Sequence, residues 1–139
     1  LDQYTYTLRK HVIKDNLDAT FLLTKNLIPL LKESVSSSII FTSSGVGRIG
    51  RAYWGAYSIS KFATEAMMQI LFDELQNTSS IRVNCINPGA VKTKMRESAY
   101  PAENPESNPS AFEIMNPYLY LMSDLSKDIN GQSIDAQEH

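Results

Sequence analysis

The run Ile39-Ile40-Phe41-Thr42 is followed by Ser43 and Ser44, then by a loop holding Gly45, Gly47 and Gly50, then by Tyr57 and Lys61 as a helical pattern begins. No other stretch restricts the possible folds as much. A short, unbroken β-branched and aromatic run reads as a buried strand of a parallel sheet rather than an alternating surface strand. A strand that empties into a glycine loop presents its last side chains at its carboxyl end. In open parallel α/β sheets, that end is where ligands bind. Ser44, Tyr57 and Lys61 are therefore expected to converge. A hydroxyl, a phenol and an ammonium together suit proton transfer to a carbonyl oxygen.

The rest of the chain alternates around this stretch. Leu17, Phe21, Thr24, Leu27 and Leu31 recur at three- and four-residue spacing, which predicts a long amphipathic helix over 5–33, with Pro29 loosening its last turn. A second helix is expected over 57–77, with Phe62, Ala66, Met67, Ile70, Leu71 and Leu75 as its apolar positions. Residues 81–86 read as a second strand, stopped by Asn87-Pro88-Gly89. Residues 101–110 hold three prolines and two glutamates, so they read as a surface loop, expected to cover the substrate pocket. A shorter apolar helix over 112–122, restarted at Pro117, and a last strand over 131–135 complete the order. Helix, strand, helix, strand, helix, strand argues for an α/β domain with a parallel sheet and right-handed crossovers. Three strands give helices on both faces little to pack on, and the leading strand would expose a hydrogen-bonding edge. The pattern is that of the second half of a Rossmann-type doubly wound domain, its first βαβ half absent from residues 1–139.

Composition narrows the function classes. With 139 residues, a single domain is expected, and 42% hydrophobic content is ordinary for a globular chain. A net charge of −2 lacks the basic footprint of a nucleic-acid binder. The one cysteine, Cys85, reads as a buried small side chain in a reducing compartment. His11 and His139 lie at opposite ends, so no metal site is expected. No apolar run approaches the roughly 18 residues of a membrane span, and the expectation is a soluble cytoplasmic protein.

Tyr-x-x-x-Lys is weak evidence alone, because Tyr6 and Lys10 share the spacing without a strand end or glycine loop before them. That pair reads as a surface helix feature. For Tyr57 and Lys61 the bland alternative is a ring packed on a lysine stem. Context favours chemistry. Positions i and i+4 share a helix face, and a nearby ammonium favours phenolate, so Lys61 is expected to lower the Tyr57 pKa. Ser43 is one residue out of register with Tyr57. Arg48 and Arg51 flank the glycine loop and are expected to be solvated, the alternative being contact with an anionic substrate. Trp54 and Met95 are expected to wall a pocket or to pack in core or interface.

Ser44, Tyr57-Ser58-Ile59-Ser60-Lys61 and Asn84–Thr93, with Asn16 upstream, together resemble the classical short-chain dehydrogenases/reductases. The likeness spans nearly the whole chain. Gly-Arg-Ile-Gly-Arg-Ala at 47–52 looks closest to a bacterial subgroup of uncharacterised reductases. The resemblance implies an oxidoreductase that interconverts a small-molecule carbonyl and an alcohol with NADP or NAD. Tyr57 would be the general acid/base, and Lys61 would hold the nicotinamide ribose. Ser44 would hydrogen-bond the substrate oxygen. Asn16, by perturbing its helix, would hold a water linking Lys61 to solvent. Pro88, Gly89, Val91 and Thr93 would line the nicotinamide. Helices 5–33 and 57–77 resemble those that pair as a four-helix bundle, which implies a homodimer or homotetramer.

The family's first strand, glycine-rich turn and cofactor-selecting residue have no counterpart in residues 1–139, and Asp135-Ala136-Gln137 departs from its commoner Asp-Gly-Gly. The expectation is a portion of a larger enzyme that neither binds cofactor tightly nor turns over alone. Two other readings stay open: a non-catalytic remnant acting through its helical surface, and an epimerase or dehydratase on the same scaffold.

Overall fold

The computed structural model describes residues 5–137; His139 lies outside them. Helix α1, Tyr6–Ile13, starts at Thr5, whose hydroxyl accepts from the Leu8 N–H at 3.2 Å. It widens into one π turn at Lys14–Asp18 and continues as α2, Ala19–Lys32. The 3.6-residue period foretells the helix but not this widened turn. Pro29 sits inside α2 without ending it.

Strand β1 is Ser37–Thr42, and after the glycine loop α3 runs Gly55–Leu75. Strand β2 is Ile81–Asn87, and β3 is Ser133–Asp135. The sheet order is β1-β2-β3, all parallel. Register decides the site. Thr42 pairs with Ile86 and Asn87 with Asp135, so the segments after β1 and β2 leave the sheet side by side.

Met67, Met68, Leu71 and Leu75 of α3 pack on Phe41, Ile81, Val83 and Cys85. Each such side chain, fully buried, contributes roughly 1.5–3 kcal/mol before entropy is charged. Cys85 is fully buried here, and desolvation pushes its thiol up to about 12.

The leading strand departs from expectation. Only Ser37 and Phe41 of β1 are buried, while Ile39 and Ile40 are half-buried. Among the described residues β1 pairs only with β2, which leaves its other side uncovered. A short helix not foreseen, α4 at Lys94–Ala99, starts at Thr93, whose hydroxyl accepts from the Arg96 N–H. Residues 111–114 form a turn rather than a helix, and α5, Asn116–Met122, begins after it with Pro117 in its first turn. The loop 101–110 folds back against α4. It carries a 3₁₀ turn at Pro105–Ser107, and Glu103 and Glu106 pair with Arg96 and Lys92.

Candidate active site

The carboxyl end of β1 hands the chain to Ser43 and Ser44. Ser43 still donates its N–H to the Ile86 carbonyl at 2.7 Å, extending the ladder by one step. The chain then turns through Gly45–Gly47 and lies against α3. Gly47 is required there, because a Cβ would sit 2.8 Å from Lys61 Cβ and 2.9 Å from the Lys61 backbone. The Ser58 hydroxyl donates to the Val46 carbonyl at 2.6 Å and locks loop to helix. The absent side chain of Gly47 thus fixes how closely Lys61 approaches β1.

The Lys61 ammonium donates to the Thr42 carbonyl at 2.8 Å, at the last residue of β1. It stands 5.6 Å from the Tyr57 ring centroid. Asn16, in the π turn, donates to the Ser60 hydroxyl at 3.2 Å, between Tyr57 and Lys61 on α3. The Thr20 hydroxyl donates to the Asn16 carbonyl at 3.0 Å, filling part of the gap that the wide turn leaves in the helix ladder.

After β2 the chain turns at Pro88-Gly89. Gly89 has φ +73°, the left-handed region, and a Cβ there would meet the Gln137 side chain at 2.8 Å. Gln137 donates through Nε2 to the Pro88 carbonyl at 2.7 Å and the Ala90 carbonyl at 2.8 Å. Asn87 bridges the same turn, accepting from the Gly89 N–H and donating to Asp135.

These segments enclose one cleft of about 460 Å³. Asn16, Ser44, Tyr57, Lys61, Pro88, Gly89, Val91 and Thr93 all line it, so the structure brings these eight candidate residues together, while Arg48 and Arg51 do not line it. Trp54 and Met95 line it too. Its outer wall, which sequence reasoning missed, is Ala99, Ala111, Ile114, Met115 and Tyr118. The available signal was the return of apolar residues directly after the proline-rich loop. No residue of 101–110 lines this cleft.

Burial raises the Tyr57 pKa, opposed by a hydrogen bond with the Ser44 hydroxyl. The expected lowering by Lys61 is not what this cleft gives. The ammonium is drawn to the Thr42 carbonyl, and desolvation of the phenol wins. Burial also lowers the Lys61 pKa, partly offset by Cys85. Ser43 lines the cleft with a buried hydroxyl that has no hydrogen-bond partner among the described residues.

Arg48 corrects a second expectation, since it is a clamp rather than a solvated side chain. It donates to both Asp135 oxygens at 2.9 and 3.0 Å, to the Ser133 hydroxyl and to the Ile134 carbonyl, and it lies 3.5 Å from Glu65. It ties the glycine loop to β3 and α3. Tyr6 and Lys10, by contrast, remain an exposed surface pair, 5.5 Å from ring centroid to ammonium.

The family model for the short chain dehydrogenases matches residues 3–104. The chain belongs to the short-chain dehydrogenase family. It is 54% identical over 126 residues to the uncharacterized oxidoreductase YciK of Escherichia coli K12, covering 91% of this chain and 49% of that protein. Its fold superposes on a short chain dehydrogenase from Salmonella enterica at TM-score 0.96 with 51% identity, covering 99% of this chain and 56% of the other. A family structure from Escherichia coli CFT073, complexed with NADPH, matches at TM-score 0.95 and 49% identity, covering 99% of this chain and 57% of its own. The chain spans about half the length of the relatives it matches. Within the family, the sheet described above is part of a Rossmann-type fold, and the cleft opens at its carboxyl edge.

Proposed function

We propose that this chain carries the catalytic residues of an NADP(H)-dependent oxidoreductase that interconverts a carbonyl and an alcohol, with Tyr57 as general acid/base. The observation that carries the reading is the single cleft in which Ser44, Tyr57 and Lys61 meet the Pro88–Thr93 segment. The NADPH-bound relative supports NADP(H), with NAD the other candidate. The cleft fits the nicotinamide end of such a cofactor. Lys61 offers a cation, Pro88, Gly89, Val91 and Thr93 line the cleft with it, and the Ser43 hydroxyl is buried there with no partner among the described residues. Lys61 would hold the ribose hydroxyls, with Val91 and Thr93 at the carboxamide. Bound in the cleft, the cofactor supplies or accepts hydride.

The chain's own residues supply orientation and the proton. The raised Tyr57 pKa keeps the phenol protonated near neutral pH, the state needed to give a proton to a carbonyl oxygen. Ser44 donates a hydrogen bond to that same oxygen and fixes its distance from Tyr57. Asn16 holds Ser60 and, through it, the α3 turn between Tyr57 and Lys61. In the π turn it is placed to hold a water that passes protons between Lys61 and solvent.

NADPH oxidation by the full-length protein with a panel of aldehydes and ketones tests the reading. Tyr57→Phe is expected to lower turnover by about 10²–10⁴-fold, the usual span for removing a general acid. Unchanged turnover in Tyr57→Phe overturns the assignment.

A second reading is favoured by an apolar groove of about 600 Å³ between α2 and α3, lined by Leu17, Phe21, Ile28, Met67, Ile70 and Leu71. It suits self-association through these helices, as a homodimer or a dimer of dimers. Sedimentation of wild type against Phe21→Glu tests it. Self-association without NADPH binding would leave only this non-catalytic reading.

A further inference from the structure

Only two of the residues lining the cleft carry charge, Lys61 and Arg96. Lys61 gives one of its three donors to the Thr42 carbonyl, and the rest are those the cofactor ribose would take. Arg96 stands on the rim, between the cleft and a smaller pocket of about 300 Å³. Its guanidinium is held in a fork by Glu103, Nε to Oε2 and Nη2 to Oε1, both at 2.7 Å. Asn108 donates to Glu103 Oε2 at 2.9 Å, and the Tyr100 ring lies 3.8 Å from the guanidinium carbon. Tyr100 stacks near Trp54, and Trp54 near Tyr57. The remaining wall around Arg96 is Met95, Ala99, Ala111, Ile114 and Met115.

An arginine beside a reactive cleft is the usual reader of a substrate carboxylate, because its fork matches two carboxylate oxygens. Here the chain's own carboxylate occupies that fork. A half-exposed pair of this kind adds little to stability. It does cancel the one rim charge that would attract an anion. A substrate carboxylate would have to displace Glu103 or lie unpaired against an apolar wall, which is costly.

We propose that the cleft takes a neutral, largely apolar aldehyde or ketone, and that Glu103 sets this specificity by occupying the carboxylate-reading face of Arg96. This rests on the carbonyl-reductase reading and names its substrate class. The fork holds Glu103 down to about 2, so the pair stays ionised at any working pH.

The test compares para-formylbenzoate with its methyl ester, probes of nearly equal shape that differ in charge. Affinity is read by titration calorimetry. Trp54, the chain's one tryptophan and a cleft residue, reports by fluorescence whether the probe enters there. The ester is expected to bind wild type at least about tenfold more tightly, the scale of one charge-assisted hydrogen bond. Glu103→Gln is expected to raise carboxylate affinity by about the same factor. The double variant Arg96→Gln/Glu103→Gln should lose that gain. Arg96→Gln alone, which leaves the loop's own residues in place, should weaken the carboxylate further.

Equal affinities in wild type, no gain in Glu103→Gln, a gain surviving in the double variant, or Trp54 emission unmoved by the ester would each overturn the proposal. NADPH oxidation with the ester separates the two ideas. In the full-length protein, charge discrimination without turnover sinks the reductase reading, whereas turnover without discrimination sinks the role of Glu103.

Discussion

Strands β1 and β2 are neighbours in one parallel sheet, and the strand with the more polar sequence is the more buried. All seven residues of β2, Ile-Arg-Val-Asn-Cys-Ile-Asn, are buried. β1, with Ile39-Ile40-Phe41, buries only Ser37 and Phe41. β2 can bury Arg82, Asn84 and Asn87 because each has a partner in the segments that follow. Arg82 donates to the Leu121 and Ser123 carbonyls and to Ser126. Asn84 donates to the Ile129 carbonyl and accepts from the Gln132 N–H. Asn87 holds Asp135 and Gly89. A buried polar group is tolerated when it is satisfied, and a central strand brings two sides' worth of partners. An edge strand leaves apolar side chains half covered however apolar they are.

Asn84→Leu is expected to give the largest effect. It leaves the half-buried Ile129 carbonyl and the Gln132 N–H without the side chain that pairs them, at roughly 1 kcal/mol for each hydrogen bond lost. Urea unfolding should show a loss of about 2 kcal/mol or more. Ile39→Ala, in half-buried β1, should cost less than about 2 kcal/mol, below the usual span for a fully buried isoleucine. If the two losses are equal, β1 is covered in solution and the contrast fails.

Acid sharpens the comparison, because the two arginines have different partners. Arg82 rests on neutral acceptors, Arg96 on a carboxylate. Glu103 is held below its ordinary 4.5, at about 2, by the Arg96 fork and then by Asn108. A depressed carboxyl pKa gives stability that is present above 4.5 and lost as the pH falls toward 2. The melting-temperature difference between wild type and Glu103→Gln should therefore shrink over that window and vanish below it. A carboxyl resonance of Glu103 that titrates near 4.5 would contradict the fork. The bonds of Arg82 should be indifferent to the same titration.

Leu23→Ser should do least. Leu23 is 62% exposed and shares a shallow apolar groove with Leu27, Leu31 and Ile39. Stability should move by no more than about 0.5 kcal/mol, while binding of a hydrophobic dye should fall. A large loss would mean that this flank is packed in solution.

Element types were legible because period and punctuation are local. The apolar runs, Pro88-Gly89 and the serine–threonine break at 78–80 marked most boundaries to within about two residues. The π turn at Lys14–Asp18 was not visible, since widening one turn barely shifts the apolar stripe. Helix α4 escaped notice because six mostly polar residues carry no period. The roles of Arg48 and Gln137 were hidden for another reason. Their hydrogen-bond partners lie 47 to 87 residues away, and nothing local marks a side chain that will bond a distant turn.

By itself, the sequence determined which residues could do chemistry and on which kind of element each would sit, because strand, loop and helix follow from nearest-neighbour preferences. The spacing of Tyr-x-x-x-Lys did not separate the two pairs; only the strand end and glycine loop ahead of Tyr57, absent ahead of Tyr6, favoured Tyr57 with Lys61. Tyr6 with Lys10 and Tyr57 with Lys61 hold the same ring-to-ammonium distance to within 0.1 Å, at 5.5 and 5.6 Å. Helix geometry sets that distance and is blind to surroundings. Tertiary structure puts one pair in solvent and the other in a cleft beside a strand end, as that context implied. There, burial raises the phenol, lowers the ammonium, and brings Ser44 within hydrogen-bonding reach of Tyr57. A pKa answers to desolvation and to charges brought near by folding, and neither is written in the spacing of two residues.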